Sequence, residues 1–475
     1  MKVLVVTGRK AYQIVKKAVG DSADVLLLDV DVASFVTPDL VHPISHLDYD
    51  LILVPGLSSG DFSKLEKETG VKTRLGPKHA CDLDMVLSHA DTIEFSHSLP
   101  ACQLLSAKKH EDAMKKVNEL EFESDYSFKL SDLKIGGNSR MKVMGEIVDA
   151  TRMQRDEILK VARDFIAQGA DIIDIGVAMD ATSLEVINTV EAVSSLNTPI
   201  SIDTVDPDLI LAAIEDIDMV LSLNGNNIKA VGRSIADRGI TAVIIPDSDL
   251  GSLQNNIRLA QEIGIEKIIA DPVLRPIGDG LIDSLVSYHR FRQASDLPLF
   301  LGVGNVTELI DADSIGINAI LAGMAMELDA SILFTPQYSA KTSGSIYELK
   351  TAAQMMLLSR ERGTPPKDLG LDLLVIKEKR YRTSEIKINK SIKAKPHKSQ
   401  QDPTGSFSID LKDGKIVATQ EDISVIGTSA KAVFDTISDL GLVSLIDHAA
   451  YLGRELMKAE LALRFGRSYA QDDEF

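Results

Sequence analysis

The stretch Gly169-Ala170-Asp171-Ile172-Ile173-Asp174-Ile175-Gly176 decides the architecture. Its centre, Asp171–Ile175, is a short strand-like run in which Ile172, Ile173 and Ile175 are apolar, bounded by glycines. It is too short for a helix and too continuous for a half-exposed strand. Amphipathic stretches stand on either side, Asp156–Gln168 before it and Leu184–Leu196 after it. A buried strand between two helices is the unit of a parallel sheet covered by helices. Working outward, the unit repeats. Strand-like runs fall at Lys142–Val148, Pro199–Ile202, Met219–Leu223, Thr241–Ile245, Lys267–Ala270, Pro298–Val303 and Ala330–Phe334, separated by helical stretches such as Leu253–Ile263 and Ala312–Leu328. With Asp171–Ile175 these make eight strands, each followed by a helix, the pattern of a (β/α)8 TIM barrel over residues 137–365. The last helix is expected to begin near Ser345, with Ser345 and Glu348 as a capping box.

Smaller segments flank the barrel. Residues 1–100 carry the apolar runs Val3–Val6, Val25–Leu28 and Leu51–Val54, each ending in turn residues, which predicts a small α/β (Rossmann-like) domain. Gly8 and the Pro55-Gly56-Leu57-Ser58-Ser59-Gly60 loop fall where ligands bind in such sheets. Thr7-Gly8-Arg9-Lys10 lacks the dinucleotide glycine pattern, so a docking or structural domain is the plain reading. Residues 101–136 read as a helix and a polar connector. Residues 366–400 read as a basic linker, with Lys377, Lys379, Arg380, Arg382, Lys387, Lys390, Lys393, Lys395 and Lys398. Residues 401–475 read as a small α+β domain, with a hairpin turning at Asp413-Gly414 and a second helix from Ile446 to Arg464.

Composition excludes several function classes. The 475 residues carry a formal net charge of −19, a poor match to nucleic acid or anionic membranes. Aromatics make up 5% and Trp is absent, which argues against base-stacking surfaces. Two cysteines, Cys81 and Cys102, are neither a disulfide framework nor a metal knuckle. The first apolar run is too short for a signal peptide, and no stretch reaches the roughly 18 apolar residues of a membrane span. The expected location is cytoplasmic.

In this fold the chemistry sits where strands end. Seven successive strands end in a carboxylate or an amide: Glu146 and Asp149, Asp174, Asp203, Asn224, Asp247, Asp271, and Asn305. One such Asp is more often a helix cap. A whole ring is harder to explain that way, because crowded carboxylates repel unless something needs them. A 2-amino-4-oxo pyrimidine edge, as in a reduced pterin, offers adjacent N–H donors that a carboxylate accepts in pairs, and Asn supplies the mixed donor and acceptor. No His-based ligand spacing appears at these ends, so no metal site is expected.

Three segments, 169–176, Pro199-Ile200-Ser201-Ile202-Asp203-Thr204 and Ile269-Ala270-Asp271-Pro272, resemble the pterin-binding superfamily, and the whole chain resembles its archaeal-type dihydropteroate synthase-related group. That superfamily holds dihydropteroate synthases and the methyltransferases that use methyltetrahydrofolate or methyltetrahydropterins. The synthase motifs Gly-x-x-Asn-x-Thr-Pro-Asp-Ser-Phe, Ser-Thr-Arg-Pro and Ser-Arg-Lys-Ser do not occur at the matching strand ends. The missing cations matter, because a pyrophosphate leaving group needs them or a metal. The methyltransferase pattern fits better: Gly145-Glu146, Asp271-Pro272-Val273-Leu274-Arg275-Pro276-Ile277, Gly302-Val303-Gly304-Asn305-Val306 and Met324-Ala325-Met326-Glu327. Two residues depart from it, Asp149 in place of Asn, and Arg275.

The resemblance implies a transferase acting on a tetrahydromethanopterin- or tetrahydrofolate-type pterin. Asp149, Asp203, Asn224, Asp271 and Asn305 would bind the pterin, while Asn305, Glu146 and Asp174 would serve catalysis near N5. Synthase-type condensation and a non-catalytic pterin-binding subunit remain the alternatives, with the magnesium requirement open. His448-Ala449-Ala450-Tyr451-Leu452-Gly453-Arg454-Glu455-Leu456 resembles the corrinoid-carrying subunit of tetrahydromethanopterin methyltransferase, which implies a corrinoid or corrinoid protein as partner, with a small-molecule acceptor as the alternative. A packing role is the plainer reading of a lone His448. Barrels of this kind often pair as homodimers.

Overall fold

The computed structural model describes residues 1–44, 48–379, 388–395 and 400–473. Residue contacts divide the chain into two units, Met1–Ser384 and Glu385–Phe475.

The first unit opens with a four-stranded parallel sheet: Val3–Thr7, Asp24–Leu27, Leu51–Val54 and Lys72–Leu75. In space the order is second, first, third, fourth. The fourth strand escapes a hydrophobicity reading because Lys72 and Arg74 alternate with buried Thr73 and Leu75. Cys81 and Cys102 form no disulfide among the described residues.

Eight parallel strands then close into a barrel: Lys142–Ile147, Ile172–Gly176, Ile200–Asp203, Met219–Leu223, Thr241–Ile244, Ile268–Ala270, Leu299–Gly302 and Ala330–Thr335. The last pairs with the first, Ile332 opposite Lys142 through Thr335 opposite Gly145. Side chains alternate along each strand. One set (Met144, Ile172, Met219, Leu221, Val243, Ile269, Phe300, Ile332) fills the interior. The other (Val143, Ile147, Ile173, Ile175, Ile202, Val220, Ala242) packs under the surrounding helices.

Residues 124–136 differ from the expected polar connector. After the helix Ala101–Glu123, strands Phe128–Leu130 and Leu133–Ile135 form an antiparallel hairpin. Its Leu130 and Ile135 join the barrel's interior cluster, with Phe128 and Leu133 against it. Ser131 Oγ donates to Asp218 at the amino end of the fourth barrel strand, so the hairpin plugs that end. A buried ionic cluster fastens the same end. Arg140 grips Asp171 through two bonds of 3.0 and 2.8 Å, Lys350 reaches Asp171 at 2.7 Å, and Lys142 reaches Glu121 at 2.7 Å. Burial would raise the Asp171 carboxyl, but Arg140 and Lys350 hold it well below the usual range.

The expected capping box is absent. Ser345 is the first residue of the helix Ser345–Arg362, with Gly344 at its cap. Glu348 instead accepts from Ser314 Oγ and Asn318 Nδ2 of the preceding helix, a stronger claim than its own backbone makes.

The second unit holds an antiparallel sheet of Ser408–Lys412, Lys415–Gln420 and Ile423–Gly427, with helices Ala430–Asp439 and Ile446–Phe465. Its core includes Ile409, Ile416, Val433, Ile437, Leu452 and Leu456. The third strand was not legible, since it buries only Val425. Within the basic stretch, Arg380, Arg382, Lys387 and Lys398 lie outside the described residues. No helix among the described residues is long and apolar enough to cross a membrane.

Candidate functional site

Strand alternation selects which acids face inward. Met144 and Ile172 belong to the interior, so Glu146 and Asp174, two residues further along, share that face. The register sets Glu146 beside Asp174, Asp174 beside Ser201, and Gly176 beside Asp203. Paired residues of a parallel ladder project to one side. The carboxylate oxygens of Glu146, Asp174 and Asp203 consequently lie within 4.8 Å of one another. Gly176 makes this convergence sterically allowed, because a Cβ there would stand 2.6 Å from Glu146 Oε1.

Two hydroxyls meet part of this charge. Ser201 Oγ donates to Asp174 Oδ1, and Ser222 Oγ donates to Asp203 Oδ1 at 2.6 Å. Asp174 is fully buried, and its Oδ2 has no hydrogen-bond partner. Burial, then the charges of Asp203 and Glu146, raise the Asp174 carboxyl well above its usual range, against the Ser201 bond. Burial also raises Asp203, against Ser222. Glu146 is pushed up to about 7 by burial and by the charges of Asp203 and Asp149. Three carboxyls this close cannot all be ionised cheaply, so the group shares protons near neutral pH. An oxygen-only set is also what hard divalent cations take.

Asp271 sits across the barrel mouth, buried after the sixth strand. It accepts from Val273 N at 2.8 Å, and Tyr288 Oη lies 2.5 Å from its Oδ1. Burial lifts its carboxyl to about 6; Tyr288 and Val273 lower it, and Asp203 adds a smaller rise. The fourth strand's end is braced by Asn227, which is buried and takes the Asn224 N–H at 2.9 Å while donating to the carbonyls of Val205 and Ser222. Asn224 Oδ1 accepts from Asn226 N at 2.9 Å.

Asn305 and Asp149 lie at the rim, both exposed. Asn305 Nδ2 donates to the Leu274 carbonyl at 2.8 Å, tying the seventh strand's loop to the sixth's. Asp149 stands 3.7 Å from Arg152, whose other nitrogen pairs with Asp180 at 2.7 Å. Asp247 is engaged by Asn256 Nδ2 at 2.9 Å, and Arg275 by Asp279 at 2.9 Å.

The structure thus brings Glu146, Asp174 and Asp203 together and sets Asp149 and Asn305 apart at the rim. Sequence reasoning missed Ser201, Ser222, Asn227 and Tyr288. Of these, Ser201 had a readable signal, since it alternates with Asp203 on one strand. Tyr288 lies on a helix far along the chain and had none. Backbone strain marks the same end: Asp149, Ser222 and Val273 hold positive φ of 49°, 62° and 67°, and a β-branched Val at such an angle is costly.

In the second unit, His448 Nδ1 lies 3.0 Å from Asp402 Oδ2. Asp402 also accepts from Ser444 Oγ and the Ser444, Leu445 and Thr404 N–H groups. Burial opposes ionisation there, but these bonds hold the Asp402 carboxyl far below its usual range. The His448 ring also lies near those of Phe407 and Tyr451.

Known proteins can now be set beside this geometry. Residues 141–296 match the family model described as CO dehydrogenase/acetyl-CoA synthase delta subunit, and residues 401–472 match PterinBD-DUF4346. The chain is 37% identical to the uncharacterized protein MJ0107 of Methanocaldococcus jannaschii over 518 aligned positions, covering 99% of this chain and 98% of that protein. It is 24% identical to the acetyl-CoA decarbonylase/synthase complex subunit gamma 2 of Methanosarcina thermophila, across 45% of this chain and 44% of that subunit. Among solved structures, the dihydropteroate synthase of Thermus thermophilus in complex with 6HMPPP aligns with a TM-score of 0.39 at 20% identity, covering 46% of this chain and 93% of the synthase.

Proposed function

Because this chain belongs to the family of MJ0107 and to the pterin-binding, dihydropteroate synthase-like superfamily, with kinship to acetyl-CoA synthase subunits, we propose that its barrel transfers a one-carbon (methyl) group to or from a reduced pterin. The observation that carries this reading is the convergence of Glu146, Asp174 and Asp203 at the mouth, with the Glu146 carboxyl pushed up to about 7.

Asp203 and Asp271 accept the adjacent N–H groups of the pterin's pyrimidine edge, and Asn224 meets the remaining donor and acceptor. Methyl transfer breaks the bond from the methyl carbon to N5 and forms one from that carbon to the acceptor. The electron pair left on N5 then takes a proton. A general acid works best when its pKa lies near the working pH, which suits Glu146. Asp174, buried behind it, holds the proton that reloads Glu146. Asn305, fixed to the Leu274 carbonyl, orients the ring from the rim. The pterin is of the tetrahydromethanopterin or tetrahydrofolate type. The acceptor is a corrinoid, a corrinoid protein or a small molecule, and the match to a subunit of an acetyl-CoA synthase complex favours a protein partner.

Calorimetric titration tests this reading. The panel is methyl-tetrahydromethanopterin, methyltetrahydrofolate and dihydropterin pyrophosphate with and without magnesium, against Asp203→Ala. The expected result is saturable binding of a methylated pterin that Asp203→Ala abolishes. Binding of the pyrophosphate alone, dependent on magnesium, would establish condensation instead.

A further inference from the structure

We propose that the amino-terminal sheet carries a second ligand site, distinct from the barrel, for a short branched aliphatic carboxylate. The strand order in this sheet reverses between the first strand and the third. In parallel sheets the crevice at such a reversal, beyond the carboxyl ends of the strands, is where ligands bind. Here it holds a cavity of about 100 Å³. Val5, Val6 and Thr7 from the first strand and Leu53 and Val54 from the third line it, with Val15 and Leu83 from flanking helices.

Two polar groups break this apolar lining. Thr7 is 1% exposed, and its Oγ1 has no hydrogen-bond partner. A buried hydroxyl left unbonded costs stability that a ligand oxygen would recover. Lys78, on the loop after the fourth strand, is the one charged residue in the lining; it is exposed and has no ion pair among the described residues.

Size, polarity and charge together define the occupant. A dry apolar cavity of ~150 Å³ takes the six carbons of benzene, so this smaller one takes a branched end of about four carbons, with the carboxylate left at its mouth beside Lys78. The Thr7 hydroxyl donates to one carboxylate oxygen and the Lys78 ammonium meets the other. No bond is made or broken, and the site is independent of the barrel chemistry.

The test is calorimetry on the full chain with isovalerate, its neutral counterpart 3-methylbutan-1-ol, and inorganic phosphate, repeated on Lys78→Gln and Thr7→Val. The expected result is one saturable site for isovalerate, with the alcohol and Lys78→Gln each about tenfold weaker and Thr7→Val weaker by a smaller factor. Pterin binding stays unchanged in both variants. Circular dichroism identifies a misfolded Thr7→Val, in which case Lys78→Gln decides alone. The proposal falls if isovalerate gives no saturable heat, if phosphate binds as tightly, or if Lys78→Gln binds as well as the parent.

Discussion

The Tyr288 hydroxyl lies 2.5 Å from Asp271 Oδ1 and 2.9 Å from the Phe300 carbonyl, so a single phenolic proton faces two acceptors. Both contacts are satisfied only when Asp271 carries a proton of its own. The carboxyl then donates to the phenol, and the phenol donates to Phe300. Above about 6 the carboxylate accepts the phenolic hydrogen bond, and the Phe300 contact loses its hydrogen. Burial raises the Asp271 carboxyl, and Tyr288 partly offsets that rise by favouring the ionised, accepting form.

In Tyr288→Phe, Asp271 loses a bond that favours its ionised form. The acid limb of pterin binding moves to higher pH, and stability falls by about 1–3 kcal/mol, the cost of leaving a buried polar group unmet. Calorimetric pterin affinity between pH 5 and 8 reads the first effect. An unmoved acid limb would remove Tyr288 from the site's chemistry.

Glu146→Gln keeps the shape but loses the proton. Pterin affinity changes by only a few-fold, while single-turnover methyl transfer slows by about 10²–10⁴-fold. The parent rate declines as pH rises through about 7, as Glu146 ionises, and the variant lacks that limb. A variant that transfers methyl at the parental rate assigns the acid elsewhere.

Stability without ligand falls with rising pH. Glu146 and Asp271 have folded-state values raised to about 7 and about 6, so the folded chain binds more protons than the unfolded one between the ordinary carboxyl range and those values. Their contribution is complete below the unfolded pKa values and is lost as pH climbs through the folded ones. Urea midpoints at a series of pH values check this, and Glu146→Gln flattens the upper part of the decline.

Chelation separates protons from metal at the triad. With EDTA present, affinity for a methylated pterin stays within about twofold, because the carboxyls of Glu146, Asp174 and Asp203 share protons. A tenfold loss restored by magnesium assigns a cation to these oxygens.

Far from the site, Asp171→Ala leaves the buried Arg140 and the half-buried Lys350 without their shared partner. Breaking such a cluster costs about 3–5 kcal/mol, which chemical denaturation measures directly.

The barrel was legible because its strands are short, largely apolar runs between amphipathic helices, and Met219–Leu223 occurs with the expected bounds. Two strands that bury few apolar side chains, Lys72–Leu75 and Ile423–Gly427, were not legible. Ring membership at the mouth was readable from strand ends. The convergence of Glu146, Asp174 and Asp203 was not, since it depends on the inter-strand register and on the space left by Gly176. Asp149 and Asn305 show the opposite effect. They stand at strand ends, yet local bonds to Arg152 and to the Leu274 carbonyl commit them to the rim.

The hairpin Phe128–Ile135 has a kinetic consequence. By filling the amino end of the barrel it leaves one doorway for every reactant. On the proposed reading, a pterin resting on Asp203 and Asp271 lies beneath the acceptor that arrives next, and it cannot depart while that partner is seated. Traffic through a single doorway then imposes a queue, with the pterin expected first in and last out.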